Sequence, residues 1–183
     1  MEEHVVLVND DDKVLGTAPK ATVHTKKTPL HRAFSSFIFN PKGELLLAQR
    51  CGLKKTWPLV WTNSCCGHPA LNENTIDAVR RRVREELGLV IDEIFEVLPD
   101  YRYRAKKDGI VENELCPVFI AFTDNQPNIN GDEVETERWM PWAKFVEETK
   151  NNPTDWSPWC VEEVMLLKKN YLFKNLFKKN TNL

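Results

Sequence analysis

The sequence predicts an α/β (α+β) fold, a mixed β-sheet flanked by helices. Three observations carry this: short apolar runs closed by turn residues recur along the chain, one amphipathic helix interrupts them near the middle, and helical stretches gather towards the C-terminal end. Strands that alternate irregularly with helices favour helices on the faces of a mixed sheet over a regular strand–helix wheel. His4 to Val8 is the first apolar run, closed by Asn9-Asp10-Asp11-Asp12, and a polar stretch from Lys20 to Pro29 follows. Ala33 to Phe39 and Glu44 to Gln49 read as a hairpin about Asn40-Pro41-Lys42-Gly43, four residues suited to a turn. Trp57 to Cys66 reads as a loop entering a strand. Asn74 to Leu87 is the clearest helix. Asn74 or Thr75 caps it, Asp77 sits in its first turn and Gly88 stops it, while Ile76, Val79, Val83 and Leu87 form one apolar stripe. Ile91 to Leu98, Glu112 to Thr123 and Glu133 to Met140 read as strands, and Ala143 to Lys150 and Cys160 to Phe177 as helices.

With 183 residues the chain is long enough for one domain with a self-sufficient core and short for two. Its 25 Lys+Arg against 27 Asp+Glu give a formal charge of -2, so no global field draws it to nucleic acid or an acidic membrane. No basic leader or membrane-length apolar stretch is present, and the expectation is a cytoplasmic protein. Five cysteines without a Cys-x-x-Cys spacing fit neither a disulfide framework nor a zinc ribbon.

Candidate chemistry concentrates in three places. On the central helix Arg82 and Glu86 stack one turn apart beside the apolar stripe, while Glu85 points away; alone, this is an ordinary intrahelical ion pair. In Glu112-Asn113-Glu114 the two acids share one face of a strand, about 7 Å apart, which suits either a solvated edge or a cation. His24, His31 and His68 lie in polar, turn-rich segments. Three imidazoles with two carboxylates could form a six-coordinate site with room for one water, suited to Mn²⁺, Zn²⁺ or Fe²⁺ better than to Ca²⁺.

From Gly67 five residues lead to Glu73, seven more to Arg81, and Arg82-Val83-Arg84-Glu85-Glu86-Leu87-Gly88-Leu89 completes the pattern. This resembles the Nudix box, a loop and helix whose carboxylates hold a divalent cation against a diphosphate. Arg82 departs from it, standing where Nudix hydrolases carry a glutamate, which favours binding a diphosphate over hydrolysing it. The wider series also includes Leu30-His31-Arg32-Ala33-Phe34-Ser35, Trp61-Thr62-Asn63-Ser64, Cys66-Gly67-His68-Pro69, Tyr101-Arg102-Tyr103, Glu112-Asn113-Glu114 and Ser157-Pro158-Trp159. In this order it resembles the type I isopentenyl-diphosphate delta-isomerases, a Nudix-fold family of isoprenoid biosynthesis, from about Lys20 to Trp159.

The resemblance implies a Nudix-type sandwich over 1–183, with an N-terminal metal-ligand segment (1–32) and a C-terminal helix (about 160–179). It implies interconversion of isopentenyl and dimethylallyl diphosphate through a tertiary carbocation. Cys66 and Glu114 would be the acid–base pair on opposite sides of the hydrocarbon, Tyr103 the partner of Glu114, and Trp159 the aromatic face for the cation. His24, His31, His68, Glu112 and Glu114 would hold Mn²⁺ or Zn²⁺. Glu86 would hold the Mg²⁺ that arrives with the diphosphate, and Lys20, Arg50, Lys54 and Arg82 would surround that group. Adjacent strand residues face opposite ways, so Cys65 should pack into the core behind the site. The partner is then a small diphosphate substrate, with no nucleic acid or membrane, and the protein a monomer or weak homodimer. The rival readings are a Nudix hydrolase and a diphosphate-binding module without chemistry.

Overall fold

In the computed structural model, which describes residues 3–183, the strands divide between two sheets; Met1 and Glu2 lie outside the described residues. The first sheet has five strands in the order β2 (Val14–Pro19), β1 (His4–Val8), β3 (His31–Arg32), β10 (Ile110–Leu115), β9 (Arg102–Lys107). The second runs β12 (Val134–Pro141), β5 (Glu44–Arg50), β4 (Phe34–Phe39), β11 (Val118–Phe122), β8 (Ile94–Leu98), with β6 (Trp61–Thr62) on β5 and β7 (Cys65–Gly67) on β4. The helices are α1 (Lys20–Val23), α2 (Thr75–Leu87), α3 (Trp142–Asn151), α4 (Pro158–Leu167) and α5 (Tyr171–Asn180).

Two parallel strand pairs tie the sheets together. β3 pairs with β10, and their continuations β4 and β11 pair in the second sheet. The chain changes sheet at Ala33 on one path and at Cys116-Pro117 on the other. The sequence from Glu112 to Thr123 predicts one strand. The structure splits it there, because Pro117 has no N–H for the ladder.

The hairpin at Asn40–Gly43 forms, with Gly43 at φ 74° and its N–H donating to Asn40 O at 2.9 Å. Beyond Phe39 and Leu45 its arms part, and β6 and β7 occupy the opening. That opening presents Cys66. The second sheet is covered on both faces. Phe34, Ile38, Leu46, Phe119 and Cys65 pack with Val79, Val83 and Leu87 of α2, while Phe37, Phe39, Leu45, Leu47, Val118 and Ile120 pack with Phe145, Trp159, Val164 and Phe173. Burying such side chains stabilises the fold by roughly 1.5–3 kcal/mol each at the upper bound. α2 begins at Asn74, whose side chain accepts from the Ile76 N–H, and ends at Gly88 with φ 65°.

The expected C-terminal helix is two helices. It breaks at Lys168–Asn170, where Asn170 Oδ1 accepts from the Phe173 N–H at 2.8 Å and starts α5. Strands β2 and β9 had no apolar run to announce them. Among the described residues no helix is long and apolar enough to cross a membrane.

Candidate active site

Sheet register builds the first part of the site. Glu114 of β10 lies opposite His31 of β3 on one side and Tyr103 of β9 on the other, so three side chains stand in one cross-strand row. The Tyr103 hydroxyl is 2.6 Å from Glu112 Oε2 and 2.8 Å from Glu114 Oε2. One hydroxyl hydrogen cannot serve two carboxylates in full, so this pair calls for a proton or a cation beside it. Burial and the Glu114 charge push Glu112 up. Burial acts on Glu114 in the same sense, but the neighbouring His31 and His68 imidazoles outweigh it and hold that carboxyl well below the usual range.

His24, His31, His68 and Glu114 each offer a ligand atom, all within 4.8 Å of one another. The three rings are 5.2 to 5.9 Å apart between centroids. His31 Nε2 and His68 Nε2 lie 3.4 and 3.2 Å from Glu114 Oε1. Burial and the neighbouring imidazoles pull His24 down to about 4, and burial lowers His68 as well. His31 is held up by Glu114 against the pull of its own burial. His24 Nε2, His31 Nε2 and His68 Nδ1 are buried and have no hydrogen-bond partner, an arrangement costly unless something else meets them. Three nitrogens and a carboxylate oxygen fit a borderline divalent metal ion. His31 Nδ1 donates to Pro29 O at 2.9 Å, which leaves Nε2 as the ligating atom. Glu112, expected in this set, is not one of the four that converge. Its carboxylate is engaged by Tyr103 on the neighbouring part of the same face.

Cys66 enters from the other sheet. β7 runs antiparallel to β4 with Cys66 opposite Ser35, and Sγ lies 3.3 Å from Asn63 Oδ1 and 3.5 Å from Ser35 Oγ. Burial pushes its thiol up to about 12. Cys65 faces away into the core under α2, as expected, and both cysteines are free. Trp159 opens α4. Its ring is buried, lies 5.4 Å from Tyr103 and sits under the Arg50 guanidinium, 5.6 Å from the centroid, while its Nε1 donates to Thr62 Oγ1 at 3.1 Å.

These groups share a cleft of about 330 Å³. Lys20, His24, Arg50, Lys54, Cys66, His68, Glu86, Tyr103, Glu112, Glu114 and Trp159 line it. His31 lies beneath the surface of the cleft and Arg82 behind it. Arg82 is 5 % exposed, and its guanidinium is bound by Glu86, by Glu85 at 2.9 Å and by Glu133 at 3.1 Å. Lys20 is held by Glu3 and Lys54 by Glu133, while Arg50 donates to Thr56 O at 2.9 and 3.0 Å. Glu133 also lines the cleft and was not singled out from sequence. An acid at the start of a strand carries no signal until its neighbours are known.

The loop ahead of α2 fixes His68. Glu73 accepts both arms of Arg81, at 2.8 and 2.9 Å, and the Ala70 N–H at 2.7 Å, while Arg81 also donates to His68 O at 3.3 Å. Gly67 is required where β7 meets α2. A Cβ there would lie 2.9 Å from both Arg82 Cγ and Phe34 Cζ.

Residues 29–160 match the NUDIX domain family. An isopentenyl-diphosphate Delta-isomerase of Saccharopolyspora erythraea is 52% identical over 163 residues, covering 88% of this chain and 84% of that protein. The chain belongs to the isopentenyl-diphosphate Delta-isomerase family. Another member, from Mycolicibacterium vanbaalenii, is 49% identical over 168 residues, with 90% of this chain and 91% of that protein covered. The fold extends further than the family. The solved structure of DR0079 from Deinococcus radiodurans superposes with a TM-score of 0.65 at 20% identity, over 82% of this chain and 90% of that one. Within an isopentenyl-diphosphate Delta-isomerase frame, a thiol from one sheet and a tyrosine-bound carboxylate from the other meet in one cleft.

Proposed function

We propose that this cleft interconverts isopentenyl and dimethylallyl diphosphate, supplying the five-carbon allylic unit for isoprenoid biosynthesis. A proton is added at one end of the allylic unit and one is removed from the other side, through a tertiary carbocation. The observation that supports this best is the placement of Cys66 and of Glu114 with Tyr103 in one cleft, on strands of different sheets, beside a buried indole. Cys66 and Glu114 act as the acid–base pair, and Tyr103, hydrogen-bonded to Glu114, holds or passes its proton. Trp159 offers its ring face to the cation, a contact worth about 2 kcal/mol or more when desolvated.

His24, His31, His68 and Glu114, with Glu112 completing the set as a fifth ligand, hold Mn²⁺ or Zn²⁺, and Glu86 holds Mg²⁺ with the diphosphate. An ion in the histidine cluster supplies positive charge that fixes Glu114 and keeps the imidazoles neutral. Lys20, Arg50 and Lys54 bind the diphosphate, with Arg82 supporting Glu86 and Glu133 from behind. Binding energy from that non-reacting group anchors a hydrocarbon tail with nothing polar to grip. Arg82 occupies Glu85, Glu86 and Glu133 in ion pairs where a hydrolase would offer a further carboxylate, which supports binding over hydrolysis. The cleft is complete in one chain, which supports a monomer or weak homodimer, and five free thiols suit the reducing cytoplasm.

Proton NMR of isopentenyl diphosphate incubated with the protein in D₂O, with Mg²⁺ and Mn²⁺, tests the reading. Dimethylallyl diphosphate deuterated in a methyl group is expected, with the rate falling at least about 10³-fold in Cys66→Ala. Released phosphate without isomer would make the protein a hydrolase. Unchanged substrate that still protects it from unfolding would make it a binding module.

A further inference from the structure

Behind Cys66 stands a buried acid that the reaction outlined above does not use. Glu163, on the second turn of α4, has 0 % exposure and makes no ion pair among the described residues. Its Oε2 lies 2.8 Å from Ser35 Oγ, and its Oε1 has no hydrogen-bond partner. Ser35 Oγ receives a hydrogen from Asn63 Nδ2 at 2.9 Å. The orientation of Asn63 is fixed by its other contacts: Nδ2 also donates to Ser36 O at 2.9 Å, and Oδ1 accepts from Thr62 Oγ1 at 2.7 Å. Cys66 Sγ lies within reach of both Ser35 Oγ and Asn63 Oδ1.

A carboxylate buried without a countercharge costs several kcal/mol, far more than a neutral acid in the same place. Burial, with the charges of Glu114 and Glu162 adding to it, pushes Glu163 well above the usual carboxyl range. A neutral Glu163 owns one O–H, and the neighbour able to receive it is Ser35. Ser35 Oγ then accepts two hydrogens, from Asn63 and from Glu163. Its own hydrogen has one acceptor left, the sulfur of Cys66.

We infer that Glu163 is a positioning residue for the reacting thiol: as an uncharged acid it donates to Ser35 and thereby turns the Ser35 hydroxyl onto Cys66 Sγ. The Cys66 hydrogen is then left to Asn63 Oδ1 or, with substrate bound, to the cleft. This rests on the reading that Cys66 takes part in the isomerisation.

The test uses the full-length protein with Mg²⁺ and Mn²⁺ bound. Glu163→Leu and Ser35→Ala should lower kcat by about 10- to 100-fold while KM for isopentenyl diphosphate stays within about twofold. Glu163→Gln, whose amide N–H can still donate to Ser35, should bring kcat back to within about fivefold of the parent. The infrared difference spectrum, parent minus Glu163→Gln at neutral pH, should show a protonated carboxylic-acid C=O band. Carboxylate bands in that difference would overturn the inference, as would a Glu163→Leu protein of unchanged kcat when Cys66→Ala is inactive. If Cys66→Ala is itself active, the reading of the thiol fails first. Should Glu163→Leu not fold, Ser35→Ala and the infrared spectrum decide.

Discussion

In the five-stranded sheet, register alone puts His31, Glu114 and Tyr103 in one row. At the basic end of the cleft, Lys20, Lys54 and Arg82 arrive on a four-residue helix, a loop and α2, and each is already paired with a carboxylate of the protein. The two regions are both polar, yet they are prepared in opposite ways. The histidine cluster is rich in buried nitrogens that lack partners and is set by backbone ladders, so its geometry stands ready for an ion. The cations already have carboxylate partners, so a diphosphate bound at Lys20 and Lys54, as proposed above, would compete with Glu3 and Glu133. One region is poised by unmet need, the other by exchange.

The sharpest way to break this contrast is at the shared atom of the first region. Glu114→Gln should lower kcat by about 10³-fold and weaken Mn²⁺ binding, measured by calorimetry, more than Glu112→Gln does, because Glu114 is one of the four groups whose ligand atoms converge and Glu112 stands beside them. Equal losses of Mn²⁺ affinity in the two variants would show that Glu112 contributes as much to the ion as Glu114 does. Next in size is Arg82→Met, which leaves the buried Glu86 carboxylate without its cation and should cost about 3 kcal/mol in urea unfolding. A loss below about 1 kcal/mol would mean that the pair is no more than a surface contact.

The smallest effect concerns Glu133. Burial would raise its carboxyl, but Lys54, with Arg82 adding to it, holds it down at about 2, against 4.5 for the free group. Because the folded value is the lower one, the stabilisation is fully present above pH 4.5 and is lost as pH falls from there towards 2. The stability difference between parent and Glu133→Gln should therefore shrink by about 2 kcal/mol across that window in acid unfolding curves. A difference that stays flat would show that the pairing adds nothing.

Much of the site could be read from the chain, for reasons tied to particular residues. Glu112 and Glu114 share a face because strands alternate, and Cys65 and Cys66 separate for the same reason. The α2 helix declared itself through its stripe and its caps. Strand β9 did not. Arg-Tyr-Arg-Ala-Lys-Lys has only Tyr103 and Ala105 to turn inward, and an edge strand needs no more. β2 is broken up by Gly16 and Pro19. The split of the long strand was written in Pro117, whereas the break between α4 and α5 lacks any glycine or proline and rests on a cap from Asn170. Glu163 was illegible because two adjacent acids on a helix read as solvent-facing until the packing shows that one is buried.

Gly67 also fixes which of two neighbouring sulfurs faces the cleft. A slip of β7 by one residue along β4 in one direction would put Cys65 opposite Ser35 and carry Cys66 onto the α2 side, and the cleft would still contain a thiol; in the other direction Gly67 would take that place. Either direction of slip brings Cys66 or His68 to the place where a Cβ meets Arg82 and Phe34 at 2.9 Å. The tandem cysteines are thus told apart by a steric gauge one hydrogen atom wide, not by any difference in their chemistry.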